Sequence, residues 1–218
     1  MKGKTKVLPL PFDEEELKKH IPDPNFESYL LSLAKNRKIV LYVGRLVYYK
    51  GIEVLISAVP FLPENIIIFI VGDGPLKNPL KKKIKKLKLK DRVFLLGKLS
   101  NSKLASCYRI CNIFCLPSLY KTEAFGLVQL EAMSFGKPIV STKLPASGVC
   151  EVNIDGETGL CVEPGKPEQL AKAILEILEN ETLYLKMSQN AQKRVKLFHK
   201  KNIVSKLISF YYDLVRGG

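Results

Sequence analysis

The chain has 218 residues, of which 46% are hydrophobic and 26% charged, a composition that suits one α/β domain with a full core. Lysine and arginine outnumber aspartate and glutamate by 35 to 21, so the formal net charge is +14. No run of eighteen apolar residues is present, and residues 1–19 hold no signal-peptide core, which argues against a transmembrane or secreted protein. We therefore expect a cytoplasmic protein, with peripheral contact to a membrane surface left open.

Short apolar runs alternate with helical patterns along the chain. Five runs rich in β-branched residues have strand length, and a sixth strand is expected near 159–162: 38–43, 65–71, 92–96, 112–117 and 138–142. Helical patterns lie between and after them: 51–59, 75–89, 101–107, 124–135, 167–179, 181–198 and 201–215. This alternation predicts an α/β fold, a Rossmann-like parallel sheet with helices on both faces.

The loop after the first predicted strand, GRLVYYKG, places Gly44, Arg45 and Lys50 at the carboxyl end of that strand. A guanidinium fork and an ammonium group at this position would neutralise a diphosphate. Because the chain holds 35 lysine and arginine residues, a solvated surface cation remains the alternative for either residue.

A second glycine-containing turn follows the next predicted strand. VGDGP, residues 71–75 with Gly72, resembles a nucleotide loop but equally suits a tight turn from strand to helix. A nicotinamide cofactor is disfavoured because no GxGxxG motif follows the first strand. Walker A and HExxH motifs are also absent from the sequence.

Residues 77–90, KNPLKKKIKKLKLK, carry eight lysines and no acidic residue. Leu80, Ile84 and Leu87 fall at i, i+4 and i+7, which predicts one apolar stripe against the sheet with lysines facing solvent. A solvated crossover helix and a contact with anionic lipid headgroups or an acidic partner both fit this pattern. Nucleic acid is not expected, because the run has no aromatic residue and no recognition motif accompanies it.

Two glutamates bracket seven residues in EAFGLVQLE, from Glu123 to Glu131. If a helix begins at residue 124 or 125, the amides of Phe125, Gly126 and Leu127 point out of its positive end and suit a diphosphate. Helical rise then places the two glutamates roughly 12 Å apart, so that they serve different parts of one elongated ligand. Solvated glutamates are the alternative, but the carboxyl end of a parallel strand favours a ligand site.

The five cysteines form no CxxC pair and are odd in number, so we expect core thiols rather than disulfides or a metal site.

The stretch PSLYKTEAFGLVQLEAMSFGKPIVST resembles the donor-binding signature of family 4 retaining glycosyltransferases of the GT-B fold. YVGRLVYYKGIEVLISA, VGDGPL and DGETGLCVEPG resemble other motifs of that family in the same order. The resemblance covers the C-terminal, donor-binding half of such enzymes. It implies a lead-in segment and first helix at 1–36, a nucleotide-sugar-binding domain at 37–198 and a crossover helix at 199–218.

Site roles follow from the resemblance by motif position. Glu123 would contact the hydroxyls of the donor sugar and Glu131 the ribose hydroxyls, while Arg45 and Lys50 would stabilise the departing diphosphate. The remaining ligand contacts would come from Gly44, Gly72, Phe125, Gly126 and Leu127. The resemblance implies no metal and no organic cofactor, and a UDP- or GDP-hexose as donor. One departure is Ala146-Ser147-Gly148, where many relatives carry paired glycines and a serine would restrict the backbone.

The resemblance favours a hexosyltransferase half that works with a separate N-terminal acceptor-binding subunit or by self-association, on polysaccharide or glycolipid acceptors. A non-catalytic nucleotide-sugar-binding module is one alternative. A basic interaction protein with a degenerate site is the other.

Overall fold

The structure is a computed structural model that describes residues 7–216, with side chains to residue 213. Its sheet confirms the predicted α/β class, with parallel strands in the order β3-β2-β1-β4-β5-β6. The strands are β1 Lys38–Val43, β2 Ile66–Val71, β3 Val93–Gly97, β4 Ile113–Leu116, β5 Ile139–Thr142 and β6 Gly159–Val162. Each predicted strand lies within one residue of these bounds at either end.

Helices connect the strands, as parallel pairing requires. They are α1 Glu14–Lys18, α2 Pro24–Ala34, α3 Ile52–Ala58, α4 Lys77–Lys86, α5 Asn101–Ile110, α6 Leu127–Ser134, α7 Val149–Val152, α8 Pro167–Glu179, α9 Glu181–Val195 and α10 Lys200–Arg216. Short 3-10 turns lie at Tyr48–Lys50, Val59–Phe61 and Lys196–Phe198. The segment before β1 therefore holds two helices within residues 7–36, where the sequence predicted one.

The two faces of the sheet bury separate apolar clusters, because successive strand side chains point to opposite sides. On β1, Leu41 joins the cluster formed with α2, α5 and α6, whereas Val40 joins the cluster formed with α3, α4 and α8. Helices therefore cover both faces, as the sequence predicted. None of the helices within residues 7–216 is long and apolar enough to cross a bilayer.

Several helices differ from the sequence prediction: α5 runs three residues further, α9 ends three residues earlier, and α7 was not predicted. Two differences change the placement of predicted residues. The helix α6 begins at Leu127 rather than at residue 124 or 125, because Gly126 takes a left-handed conformation with φ 71°. The helix α4 ends at Lys86, and Lys88 then turns the chain with φ 58°. Leu87 is consequently 36% exposed, and Leu89 instead of Leu87 completes the buried stripe with Leu80 and Ile84.

The strands are added to the sheet in two opposite directions, starting from neighbouring strands β1 and β4. β2 and β3 extend the sheet on one side of β1, whereas β4, β5 and β6 extend it on the other. In open α/β sheets such a switch point leaves a crevice at the carboxyl ends of the two central strands, where ligands bind. The loops after β1 and after β4, which carry most of the predicted site residues, lie at this crevice.

Candidate functional site at the β1–β4 switch point

Lys50 and Glu123 form an ion pair across the switch point. Lys50 lies in the loop after β1 and Glu123 in the loop after β4, and the distance from Nζ to Oε2 is 2.5 Å. Both side chains are largely buried, with 14% and 7% exposed. Both residues were predicted at one ligand from the sequence, but their contact with each other was not.

The carboxylate of Glu123 is held through one of its two oxygens. The Ser118 hydroxyl donates to Oε2 at 2.9 Å, the same oxygen that Lys50 contacts. The carbonyl of Ser118 in turn accepts from the Thr142 hydroxyl at 2.5 Å, which ties the loop to the end of β5. Among the described contacts, none involves Oε1 of Glu123, so this oxygen is available to a ligand hydroxyl.

Ser147 supports the Glu123 loop from the other side. Its buried hydroxyl donates to the backbone carbonyl of Glu123 and accepts from the amide of Val149 at 3.2 Å. The amide of Gly148 donates to the carbonyl of Ala124 at 2.7 Å. The residue of this loop with a left-handed backbone is Ala146, with φ 60°, and not Ser147. The hydroxyl of Ser147 instead joins two loops, a role that was not predicted from the sequence.

Close backbone approach fixes the loops after β1, β2 and β4. Gly72 has φ +137°, and a Cβ there would lie 1.9 Å from the carbonyl oxygen of Gly44. Gly51 has φ +67°, and a Cβ there would lie 1.9 Å from the carbonyl oxygen of Pro117. Glycine is therefore required at both positions by packing alone. Contact of Gly44 and Gly72 with a ligand stays a prediction.

Arg45 differs from Lys50 in its surroundings. Its side chain is exposed to solvent, while its carbonyl accepts from the hydroxyl of Tyr42 at 3.2 Å. The backbone of the loop is thus fixed from β1. Because the side chain is exposed, its guanidinium is accessible to an anion from solvent.

The start of α6 lies beside the ion pair. Leu127 is the first helical residue, so its amide and the next one are the outward-pointing groups of the helix. Phe125 precedes the helix and packs edge-on against Phe198, with ring centroids 5.8 Å apart. The prediction that Phe125 belongs to the helix is wrong. The predicted distance of roughly 12 Å between the two glutamates assumed a helix start at residue 124 or 125, so it no longer applies.

Glu131, on α6, accepts a hydrogen bond from a buried tyrosine that the sequence analysis missed. The Tyr108 hydroxyl donates to its Oε2 at 2.7 Å. Burial raises the pKa of Glu131 above its ordinary value, and the hydrogen bond from Tyr108 opposes that shift. No local pattern marks Tyr108, because it lies 23 residues before Glu131 on another helix.

Three tyrosines surround the Lys50 side of the site. The Tyr48 ring lies 5.9 Å from that of Tyr49 and 6.0 Å from that of Tyr120. The Nζ of Lys50 lies 5.9 Å from the centroid of Tyr49. The amide of Glu123 donates to the carbonyl of Tyr120 at 3.0 Å, so this cluster and the ion pair share one turn.

In the part of the chain that the structure describes, no group of three or more histidine, cysteine, aspartate or glutamate side chains is arranged to hold a metal ion. All five cysteines are free thiols, and Cys107, Cys111, Cys115 and Cys161 are buried. These four are core thiols, as the sequence predicted, whereas Cys150 is only partly buried.

Residues 30–194 match the family model of the glycosyl transferases group 1. The chain belongs to this family. An uncharacterized glycosyltransferase of Methanocaldococcus jannaschii is 33% identical over 174 residues, which cover 80% of this chain and 48% of that protein. The resemblance found in the sequence is thereby confirmed.

Solved structures agree with the family and with the GT-B fold. Alr3699/HepE of Anabaena in complex with UDP is 27% identical, with a TM-score of 0.82, over 96% of this chain and 57% of that one. The C-terminal domain of the group 1 protein LpcC of Francisella tularensis, at 24% identity and a TM-score of 0.69, shows the same fold. It matches 85% of this chain and 96% of its own. This group 1 chain thus spans about half the length of the curated relatives it matches.

Proposed function

We propose that the chain binds the nucleotide-sugar donor of a retaining, metal-independent hexosyltransferase. The observation that carries the proposal is the buried Lys50–Glu123 pair, 2.5 Å apart, beside the start of α6 at the switch point. A buried ion pair adds little to stability over apolar side chains of similar volume. Its position in a ligand crevice favours a role in binding and chemistry instead.

The donor hexose lies against Glu123 in this proposal. Oε1 accepts a hydrogen bond from a sugar hydroxyl, while Lys50 and Ser118 hold Oε2. An ammonium group has three N–H donors. Lys50 can therefore keep its contact with Glu123 and also donate to a phosphate oxygen.

The diphosphate lies between the loop after β1 and α6. Arg45 approaches it from the solvent side as a fork, and the amide of Leu127 adds the positive end of the helix dipole. The loop backbone at Gly44 and Gly72 and the turn at Phe125 and Gly126 border this space.

The bond from the anomeric carbon to the diphosphate oxygen breaks, a bond to an acceptor hydroxyl oxygen forms, and the proton of that hydroxyl passes to the departing diphosphate. Lys50, Arg45 and the helix amides stabilise the negative charge that develops on the diphosphate, a task that a metal ion performs in other enzymes. Retention of configuration rests on the family resemblance.

A UDP-hexose is the first candidate for the donor. Alr3699/HepE of Anabaena has been solved with UDP, with UDP and glucose, and with UDP-glucose, and its match covers nearly all of this chain. A GDP-hexose is the second candidate.

An acceptor-binding domain completes the enzyme in this proposal, because the chain covers 48% of its first curated relative. The helix α10 offers a docking surface. Its exposed apolar side chains include Val204, Leu207, Ile208 and Tyr211, each at least 39% exposed. A separate N-terminal subunit is the proposed occupant, and self-association of this chain is the other outcome.

Calorimetric titration with UDP, GDP, ADP and their glucose or mannose conjugates tests the proposal. We expect one nucleotide to bind and both Glu131→Ala and Arg45→Ala to weaken it. Glu176→Ala and Lys172→Ala, two exposed positions on α8, serve as matched charge controls. Binding without transfer in the presence of any acceptor-binding domain would favour the non-catalytic module. A folded chain that binds none of these ligands would favour the interaction protein.

A further inference from the structure

The phenol of Tyr108 is held rigidly in the core. The residue is fully buried on α5. Its ring stacks on Phe135 at 5.7 Å with an interplanar angle of 20°, and it contacts Phe114 at 6.0 Å. The direction of the hydroxyl is therefore fixed by packing, and it points at Oε2 of Glu131, 2.7 Å away.

A structural role alone does not account for this pair. Burial raises the pKa of Glu131 and raises that of Tyr108 well above its usual value, which means that the surroundings disfavour the charged form of each group. Apolar side chains of similar volume would fill the same space without that cost. Glu131 is also only partly buried, so its carboxylate is not sealed inside the core.

We propose that Tyr108 is a positioning residue, which holds Glu131 so that its second oxygen meets the ribose hydroxyls of the donor and selects ribonucleotides over 2′-deoxyribonucleotides. The inference rests on the proposed function, in which Glu131 receives the ribose. Of the described contacts to this carboxylate, the Tyr108 bond falls on Oε2 and none falls on Oε1. A carboxylate fixed at one oxygen presents the other in a single direction, which lowers the cost of ordering it on binding.

The test is the ratio of affinities for UDP and 2′-deoxy-UDP, measured by calorimetry on the full chain, with GDP and 2′-deoxy-GDP in parallel. Tyr108→Phe removes the hydroxyl and keeps the ring, so the core stays filled. We expect this variant to bind UDP about tenfold more weakly and to bring the ratio toward one, because a hydrogen bond to a charged group is lost. Glu131→Gln should lower the ratio similarly, and the double variant should add little further loss.

Tyr184→Phe is the control, since it removes the hydroxyl of a different tyrosine, which is partly buried on α9. It should leave the ratio unchanged. Circular dichroism reports whether each variant folds, and Glu131→Gln tests the same hydrogen bond from its other end if Tyr108→Phe does not fold.

The outcomes separate this inference from the proposed function. A wild type that prefers UDP, with a ratio lost in Glu131→Gln and kept in Tyr108→Phe, would overturn the positioning role and leave the donor site standing. A Tyr108→Phe variant that loses stability but keeps the ratio would assign the tyrosine to the core alone. A wild type that binds no nucleotide would overturn both proposals.

Discussion

Glu123 and Glu131 are each held by the protein through Oε2. Lys50 and Ser118 hold the first, and Tyr108 holds the second. In the described contacts the other oxygen of each carboxylate has no protein partner. Acceptors fixed in this way are preorganised for hydroxyl groups, of which a nucleotide sugar has several on both its hexose and its ribose.

The raised pKa of Glu131 predicts a pH dependence of ligand binding. Its pKa is raised by burial, and the hydrogen bond from the hydroxyl of Tyr108 opposes that rise. Protonation converts an acceptor oxygen into a donor. We expect affinity for UDP-glucose to fall as pH is lowered through this raised pKa, at a higher pH than for an ordinary glutamate. A titration of affinity against pH, from above neutral into the acid range, measures it.

Glu131→Gln is the control for this pH dependence, since an amide does not titrate. Its affinity should be lower and should lack that step. A wild type and a Gln variant with the same pH profile would mean that Glu131 does not contact the ligand.

Ser147 predicts a stability effect. Ser147→Ala leaves the carbonyl of Glu123 and the amide of Val149 without the hydroxyl that joins them. We expect the free energy of unfolding to fall by about 1–2 kcal/mol, measured by urea denaturation. Ser205→Ala removes an exposed hydroxyl bonded within α10 and should change it by less than about 0.5 kcal/mol. Equal losses in the two variants would show that the hydrogen bonds of Ser147 contribute no more to stability than those of an exposed serine.

At the scale of elements, the sequence predicted the strands and most helices closely. Strands such as β2, with six consecutive buried residues, are unambiguous because a short apolar run bounded by turn residues has few alternatives. The start of α6 was missed because glycine adopts left-handed and right-handed conformations about equally readily, so the sequence does not show that Gly126 takes φ 71° where it packs close to Leu116 of β4. Tertiary contacts of this kind leave no local signal.

The same geometry makes Gly126→Ala a sharp test of the α6 start. An alanine there would have to adopt φ +71°, and its Cβ would lie 2.7 Å from Cδ2 of Leu116. We expect a loss of about 1–3 kcal/mol in unfolding free energy and weaker binding of UDP-glucose. Gly165→Ala is the matched control, with φ +73° and no atom within 4 Å of the added Cβ. It should lose stability through backbone strain alone and keep its affinity. Unchanged affinity for UDP-glucose in Gly126→Ala would mean that the start of α6 does not contact the ligand.

The helix α4 carries the lysines that motivate a membrane contact. Leu80 and Ile84 are buried, while Lys81, Lys82 and Lys85 are exposed. We expect the chain to bind vesicles of phosphatidylserine and phosphatidylcholine at low salt and the triple Lys→Glu variant at these positions to lose binding, since each lysine contributes about 1 kcal/mol near an anionic surface. Vesicle co-sedimentation measures it.

A matched variant keeps the total charge change equal. Lys172→Glu, Lys186→Glu and Lys193→Glu alter exposed lysines on α8 and α9. If both triple variants lose binding equally, the net charge of +14 and not α4 determines attraction to the vesicles.

At the scale of the whole molecule, the order of strands decides where a ligand can lie. Alternating strands and helices predicted a parallel sheet, and the sheet order β3-β2-β1-β4-β5-β6 then brings the loops of Lys50 and Glu123 to one crevice. The sequence predicted both residues from motif position. It could not predict Ser118, Ser147 or Tyr108, whose roles depend on side-chain packing between elements that are distant along the chain.

The most direct test of the account compares UDP with UDP-glucose on the wild type, Glu123→Gln and Glu131→Gln by calorimetry. If Glu123 contacts the hexose and Glu131 the ribose, Glu123→Gln should weaken UDP-glucose about tenfold more than it weakens UDP, whereas Glu131→Gln should weaken both ligands equally. Equal effects of Glu123→Gln on the two ligands, or no effect on either, would contradict the assignment of Glu123 to the donor sugar.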